Sequence, residues 1–373
     1  MSVRLGIIGC GRIAEDGHAP ALRALGDAVE VVALADPSPE RRQALATAVD
    51  RPDAQGFDDW KAMLANARLD AVTVAVAPFL HEPAILDAAQ AGVSVICEKP
   101  LVATLEEADR VGEALERSDA RLSVMHNWGY TRQALAVSEA IAAGRIGEVF
   151  MTRNESVVGT RWLSQDPTNP NWANDPAKSG GGVILSDVYH SIYQAEDETK
   201  SPVQSVFAAT GEYGPDAAVE DTAAMVLRHE NGAMTVILRC LPASGGGAGA
   251  REIHGTRGSI RFPPPDPKAL SLIFRRDYAA LRSLPKPAEP RPAAEIFEHE
   301  RGEWMPLEGL TEELPWWDGI REVYARTFAA WGRGEEAPTD LAASRRCLEA
   351  IHALYTSAER GAMVTVADAI ANR

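Results

Sequence analysis

Cysteine is scarce and scattered in this chain of 373 residues. Its four cysteines, Cys10, Cys97, Cys240 and Cys347, have no short paired spacing, so the sequence offers neither a zinc-ligand pattern nor a disulfide framework. They read as buried thiols in a reducing compartment, and no metal site is expected. Basic residues are also in deficit: 37 against 53 acidic give a net charge of -16, with no block of lysine and arginine to offset it locally. Such a surface repels a phosphate backbone, which excludes nucleic acid as an expected partner. No apolar run is long enough to cross a bilayer, and Met1-Ser2-Val3-Arg4 passes straight into a first strand without the apolar stretch of a leader. The expectation is a cytoplasmic protein that does not engage membranes. What is present is ordinary globular material, 46% hydrophobic and 24% charged, in a chain whose length favours two domains over one.

The first third alternates short apolar runs with helical stretches, the pattern of βαβ units around a doubly wound parallel sheet. Strands are expected near 3–9, 29–36, 71–76, 93–98 and 121–126, with helices between them. Beyond Asn127 the texture changes. A helix near 132–143 precedes segments rich in β-branched and aromatic residues, and at 222–241 Asn231-Gly232 separates two apolar runs, a strong hairpin signal. An antiparallel or mixed second sheet follows from this. The proline-rich stretch 262–317 has little periodicity and reads as loops. Helices near 316–331 and 341–357 close the chain, and no internal repeat is present.

Gly9-Cys10-Gly11-Arg12-Ile13-Ala14 follows a strand and opens a helix, the context in which a G-x-G-x-x-G/A motif cradles a dinucleotide. Gly9 permits the tight turn, Gly11 lets backbone approach a pyrophosphate, and Ala14 keeps helix close to sheet. The helix N-terminus adds free N–H groups and partial positive charge. Asp36 ends the second strand, where a carboxylate can bind both ribose hydroxyls of NAD. A 2'-phosphate about 4 Å away would cost on the order of 1 to 4 kcal/mol, so NAD is expected over NADP. Asp36 also suits a helix cap before Pro37, and Arg41 or Arg42 could fold back onto a phosphate.

Lys99, in Val95-Ile96-Cys97-Glu98-Lys99-Pro100, falls where a strand of that sheet ends, a costly place for an amine unless it acts there. The alternative is a solvated strand-end lysine. Later, Gly180-Gly181-Gly182 leads to Ser186, Asp187, His190 and Tyr193. On a regular helix beginning near Gly182, Ser186 and His190 lie one turn apart, Asp187 shares a face with His190, and Tyr193 follows a turn on.

The ordered set of Gly9-Cys10-Gly11-Arg12-Ile13-Ala14, Ala77-Pro78-Phe79-Leu80-His81, Glu98-Lys99-Pro100, Ala143-Gly144-Arg145-Ile146-Gly147-Glu148-Val149, Gly180-Gly181-Gly182 and Thr356-Ser357-Ala358-Glu359-Arg360-Gly361 resembles the Gfo/Idh/MocA oxidoreductases, of glucose-fructose oxidoreductase and inositol dehydrogenase type, over nearly the whole chain. The resemblance implies an NAD-binding Rossmann domain over 1–126. It also implies a substrate-binding and oligomerisation α/β domain over 127–373, whose large, mostly antiparallel open sheet makes a homodimer or homotetramer. It implies that Lys99 binds substrate hydroxyls and assists proton movement, that Pro78, His81, Glu98 and Asn127 line the nicotinamide side, and that the glycine-loop residues Gly9, Gly11, Arg12 and Ile13 bind the rest of the cofactor. Sugars, inositols and related polyols are the implied substrates. The family commonly has an aspartate four residues after the last glycine and a histidine four beyond it, with a glycine between. Here those positions hold Ser186, His190 and Val188, with Asp187 displaced by one.

Oxidising a secondary alcohol needs an acceptor for the hydroxyl proton beside the nicotinamide ring, and a histidine suits it. His190 is the expected general acid/base, oriented by Asp187 or Ser186, with Lys99 stabilising alkoxide charge on the same oxygen. A packed helix histidine and a helix-dipole aspartate are the alternatives for His190 and Asp187. His18 reads as structural. Trp128, Tyr130, Trp162, Trp172, Tyr189 and Tyr193 are rings that could pack on the C–H faces of a sugar, or serve the core. Two other functions fit the same motifs: a glycosidase or lyase that retains NAD and oxidises transiently, and an NAD-binding sensor without turnover.

Overall fold

A computed structural model of the chain describes residues 2–157, 172–214, 217–243, 248–262, 293–308, 310 and 315–372. Two compact units emerge, Met1–Thr131 with Leu314–Arg345, and Arg132–Glu313 with Arg346–Arg373.

The first unit is built on six parallel strands: β1 (Val3–Ile8), β2 (Val29–Ala35), β3 (Gln55–Phe57), β4 (Ala71–Val74), β5 (Ser94–Cys97) and β6 (Leu122–Val124). β4 and β6 are buried along their whole length, as an apolar run covered on both faces must be. The order β3-β2-β1-β4-β5-β6 reverses direction between β1 and β4. This is the arrangement in which ligands sit beyond the carboxyl ends of the strands flanking the reversal. Helices Pro39–Ala48, His81–Gln90 and Leu105–Glu116 make crossovers, the last opened by a capping box between Thr104 and Glu107. The three-residue β3 escapes the sequence reading because it is short and largely exposed.

The first of these units runs on past 126 to Thr131 and also takes in Leu314–Arg345. Helix Asp318–Gly332 packs with the first unit, where its Ile320, Val323 and Tyr324 share a core with Leu5, Ile7, Ala14, Ala19 and Leu34. The reason is a fitted surface: a Cβ on Gly17 would come within 2.8 Å of both the Trp316 and Ile320 side chains. Each fully buried aliphatic side chain of this kind stabilises the unit by roughly 1.5–3 kcal/mol.

The second unit holds nine strands: β7 (Val149–Val157), β8 (Val203–Gly211), β9 (Thr222–His229), β10 (Met234–Cys240), β11 (Ala248–Gly255), β12 (Gly258–Phe262), β13 (Glu295–Glu298), β14 (Trp304–Pro306) and β15 (Val364–Thr365). Their order is β14-β13-β12-β11-β7-β10-β9-β8-β15, with β7 and β10 parallel and every other pair antiparallel. The Asn231-Gly232 signal is realised as the β9–β10 hairpin, with Gly232 at φ +87°. In β9 and β10 buried residues alternate with more exposed ones, as in a sheet with one face on the core. Phe150, Phe207 and Met234 of this sheet remain exposed.

The stretch 262–317 is not all loop. Its described part contains β13 and β14, strands of four and three residues, too short for a period-two pattern to register beside the prolines. Residues 263–292 of that stretch, and Trp162, lie outside the described residues. Among the described residues no helix is long and apolar enough to cross a membrane, and no group of three or more His, Cys, Asp or Glu could hold a metal.

Candidate active site

Gly9 leaves β1 at φ +92°, and its N–H donates to the Ala35 carbonyl at 2.8 Å. A Cβ there would lie 2.7 Å from the Ala75 carbonyl oxygen, so glycine is required twice over. At Gly11, chain neighbours aside, no atom of the described residues lies within 4 Å of a Cβ position. That is the open backbone approach a pyrophosphate needs, so the loop fits the dinucleotide that the motif implies. Arg12 is exposed and Ile13 half-buried at the start of the helix, and Ala14 is fully buried against the sheet.

Asp36 is buried, and both of its carboxylate oxygens accept backbone N–H groups: Cys10 on Oδ2 and Ser38 on Oδ1, each at 2.9 Å. The cap of helix Pro39–Ala48 is Ser38, whose Oγ accepts the Arg41 N–H. Asp36 therefore ties the end of β2 to the glycine loop, and each oxygen keeps lone-pair capacity for a ribose hydroxyl. Arg42 donates from Nη1 to the Asp36 carbonyl and to Asp58 Oδ1, the latter at 2.6 Å. Burial, reinforced by the Asp36 charge, pushes the Cys10 thiol up to about 12, so it stays protonated.

Lys99 is half-buried just beyond β5, and its bond to Pro100 is cis. His81 braces this loop. Its Nδ1 lies 2.8 Å from the Pro100 carbonyl oxygen and 3.2 Å from that of Leu101, and Nε2 lies 3.1 Å from that of Val76. The fully buried imidazole is held below its ordinary value by desolvation. The ring thus lies between the Val76 carbonyl and those of Pro100 and Leu101, and its one N–H as a neutral imidazole donates to one of these two sides. Pro78 opens the turn Pro78–Leu80, and Asn127 opens the turn Asn127–Tyr130. The Asn127 carbonyl oxygen occupies the space that a Cβ of Gly319 would need, 2.2 Å away.

Glu98 is buried beside the lysine. Its Oε2 accepts the Lys99 backbone N–H at 3.1 Å, and its Oε1 accepts from His18 Nε2 at 3.1 Å. His18 Nδ1 lies 2.7 Å from the Tyr324 hydroxyl, itself 2.7 Å from Thr73 Oγ1. Burial alone would raise the Glu98 carboxyl. The His18 hydrogen bond, with the Lys99 charge and N–H, outweighs it and holds the carboxyl below its usual range.

In the second unit, Gly180 ends the short helix Pro176–Ser179 at φ +75°. A Cβ on Gly181 would lie 2.2 Å from the Tyr355 hydroxyl, and one on Gly182 would lie 1.9 Å from the Glu220 carbonyl oxygen. The glycines make room for Glu220, whose carboxylate accepts the N–H of Gly182 at 3.0 Å, that of Ile184 at 3.1 Å and the Tyr355 hydroxyl at 2.8 Å. Burial raises the Glu220 carboxyl in spite of these bonds.

The helix that follows is not regular. Ile184–Val188 is a π-turn, continued as the α-helix Tyr189–Thr199, so the uniform spacing counted from Gly182 does not hold through Ser186 and Asp187. Ser186 Oγ donates back to the Gly182 carbonyl at 2.7 Å. Asp187 forms an ion pair with Arg239 Nε, whose side chain is only 5% exposed. Arg239 also donates to the Asn154 carbonyl at 2.9 Å and side-chain oxygen at 3.2 Å, and to Ser191 Oγ. The side chain given to Asp187 here is a buried cation. His190 is buried in the first α-helical turn, Tyr193 half-buried one turn on, and Trp172 half-buried in the turn Trp172–Asn174. Lys99 belongs to the first unit and His190 to the second.

Sequence reasoning missed Arg239 and Glu220. A signal for Arg239 existed: the hairpin register puts it in phase with Thr235 and Ile237 on the inward face of β10, where a charge needs a partner. Nothing near Glu220 announced it, because its partners lie 36 and 38 residues earlier and 135 later.

Residues 3–126 match a family model described as an oxidoreductase family with an NAD-binding Rossmann fold, and residues 134–261 match a GFO/IDH/MocA C-terminal domain. Among curated relatives, the inositol 2-dehydrogenase of Rhizobium meliloti (strain 1021) is 29% identical over 282 residues, covering 74% of this chain and 81% of its own. The 1,5-anhydro-D-fructose reductase of Ensifer adhaerens is 30% identical over 262 residues, covering 69% and 74%. Among solved structures, an oxidoreductase from Agrobacterium radiobacter in complex with NAD+, L-tartaric acid and magnesium superposes with a TM-score of 0.80. It covers 98% of this chain and 99% of that one at 21% identity, a likeness of fold alone.

Proposed function

The chain belongs to the GFO/IDH/MocA family of NAD-binding oxidoreductases, and from that membership we propose that it moves a hydride between NAD and a secondary alcohol or ketone of a sugar, inositol or related polyol. One observation carries the reading furthest. The Gly9–Gly11 loop after β1 and Lys99 after β5 leave the same carboxyl-terminal edge of the parallel sheet, beside the reversal between β1 and β4.

Gly9, Gly11, Arg12 and Ile13 hold the pyrophosphate, Asp36 takes the ribose hydroxyls, and Pro78, His81, Glu98 and Asn127 shape the nicotinamide side. NAD, when bound, takes up the hydride or returns it. In the oxidising direction the substrate hydroxyl loses its proton to His190 while the Lys99 ammonium stabilises the charge that develops on that oxygen. Reduction is the reverse, with His190 giving the proton back. Asp187, its charge balanced by Arg239, accepts hydrogen bonds from further substrate hydroxyls, with Ser186, Tyr193 and Trp172 completing the substrate contacts. Copies of the chain associate through the nine-stranded sheet as a dimer or tetramer, in the cytoplasm.

The test is NADH formation with a panel of free sugars and inositols. Net NADH with at least one of them supports the reading. Turnover that leaves the nicotinamide absorbance unchanged would favour an NAD-retaining glycosidase or lyase, and binding without any turnover would favour a sensor.

A further inference from the structure

Four polar side chains, brought together from four stretches of sequence, form one buried line in the first unit. Thr73 lies on β4, Glu98 follows β5, His18 ends the π-turn Ala14–His18, and Tyr324 belongs to helix Asp318–Gly332. Thr73, His18 and Tyr324 are fully buried, and Glu98 nearly so. With a neutral imidazole the donors run one way: Thr73 to Tyr324, Tyr324 to His18 Nδ1, and His18 Nε2 to Glu98 Oε1. The other carboxylate oxygen then accepts the backbone N–H of Lys99. A core filled with apolar groups would avoid the desolvation such a line incurs, so its retention calls for a purpose beyond stability.

We propose that His18 and Tyr324 are positioning residues for Lys99, acting through the Glu98 carboxylate. The inference rests on the catalytic role given to Lys99 above. The helix that opens at the cofactor loop reaches His18 through a π-turn, and Gly17 admits Trp316 and Ile320 close enough for Tyr324 to reach the imidazole. One line of hydrogen bonds thereby fixes the lysine loop to the element that carries the glycine loop.

The electrostatics around the line are simple. The titratable groups facing Glu98 are His18, Lys99, His81, Cys97 and Tyr324, and His126 faces Lys99. Burial keeps Cys97 and Tyr324 protonated, and it keeps His81 and His126 neutral. Glu98, its carboxyl held below its usual range, is the acidic neighbour of Lys99, and the His18 hydrogen bond is what offsets its burial. Without His18, burial acts on Glu98 with less opposition, the carboxyl takes up a proton more readily, and Lys99 loses an anionic neighbour.

The experiment follows Lys99 itself, in the full-length protein with NAD present. Acylation of the Lys99 amine by acetic anhydride is measured against pH by mass spectrometry, for wild type, His18→Gln and Tyr324→Phe. The expected result for His18→Gln is a titration midpoint lowered by roughly one unit, as for loss of a nearby opposite charge. Its kcat should fall roughly tenfold to a hundredfold, as for a misplaced catalytic group, with NAD affinity unchanged. Tyr324→Phe keeps the ring, loses only the hydroxyl, and shifts both quantities the same way by less. If His18→Gln does not fold, Tyr324→Phe decides. A folded variant matching wild type in both the Lys99 midpoint and kcat overturns the inference. Full turnover by Lys99→Ala would instead overturn the catalytic role of the lysine, leaving the acylation midpoint to report on the coupling by itself.

Discussion

His126 is fully buried, with Nε2 3.1 Å from Ser344 Oγ, and burial followed by the charge of Lys99 pushes its imidazole down to about 3. In the unfolded chain the same group titrates near about 6.5. Below that value the unfolded state binds a proton that the folded state refuses, so stability present above pH 6.5 drains away as pH falls toward 3. For His126 alone the loss by pH 5 is roughly 2 kcal/mol. Thermal midpoints measured from pH 8 to 5 should fall more steeply for wild type than for His126→Gln. His81 and His229, both held low by burial, act equally in the two proteins and leave the difference to His126. Parallel curves would contradict the assignment. At this scale the sequence is a partial guide: it marks Asp36, Lys99 and His190 by their neighbours in the chain. It says nothing of the Tyr324 hydroxyl behind His18, or of Arg239 opposite Asp187, because those partners are set by folding.

Among elements, what was legible was whatever depends on local pattern. The strands β1, β2, β4, β5 and β6 follow from apolar runs, the β9–β10 hairpin from Asn231-Gly232, and the helices Asp318–Gly332 and Leu341–Arg360 from their periodicity. The π-turns Ala14–His18 and Ile184–Val188 were invisible, since counting faces at 3.6 residues per turn presumes a regular helix. Both fall in helices bearing candidate site residues, where an added residue per turn changes which side chains share a face. The Gly180-Gly181-Gly182 segment was legible as a signal but not in its cause. At Gly181 and Gly182 the atoms that would meet a side chain are those of Tyr355 and Glu220, distant in sequence and in the same unit. Helix Asp318–Gly332 was found in sequence, while its place in the first unit was not, because adjacency in the chain carries no record of which core an apolar face will join.

For the whole molecule, the proposed assembly sets exposed Phe150, Phe207 and Met234 against a net charge of -16. Apolar burial favours association and like charge opposes it, so self-association should strengthen as salt screens the repulsion. Light scattering should give a mass two or four times that of one chain, and a monomer at every ionic strength would contradict assembly through the sheet. The division of labour between the units is tested by kinetics. Lys99→Ala, His190→Ala and the double variant should be compared with wild type in kcat/KM on the same substrate. If amine and imidazole serve one reacting oxygen, each single change should cost at least about a hundredfold, and the double variant should lose little more than the worse single one. Effects that simply multiply, or a single variant with wild-type turnover, would contradict a shared role for Lys99 and His190.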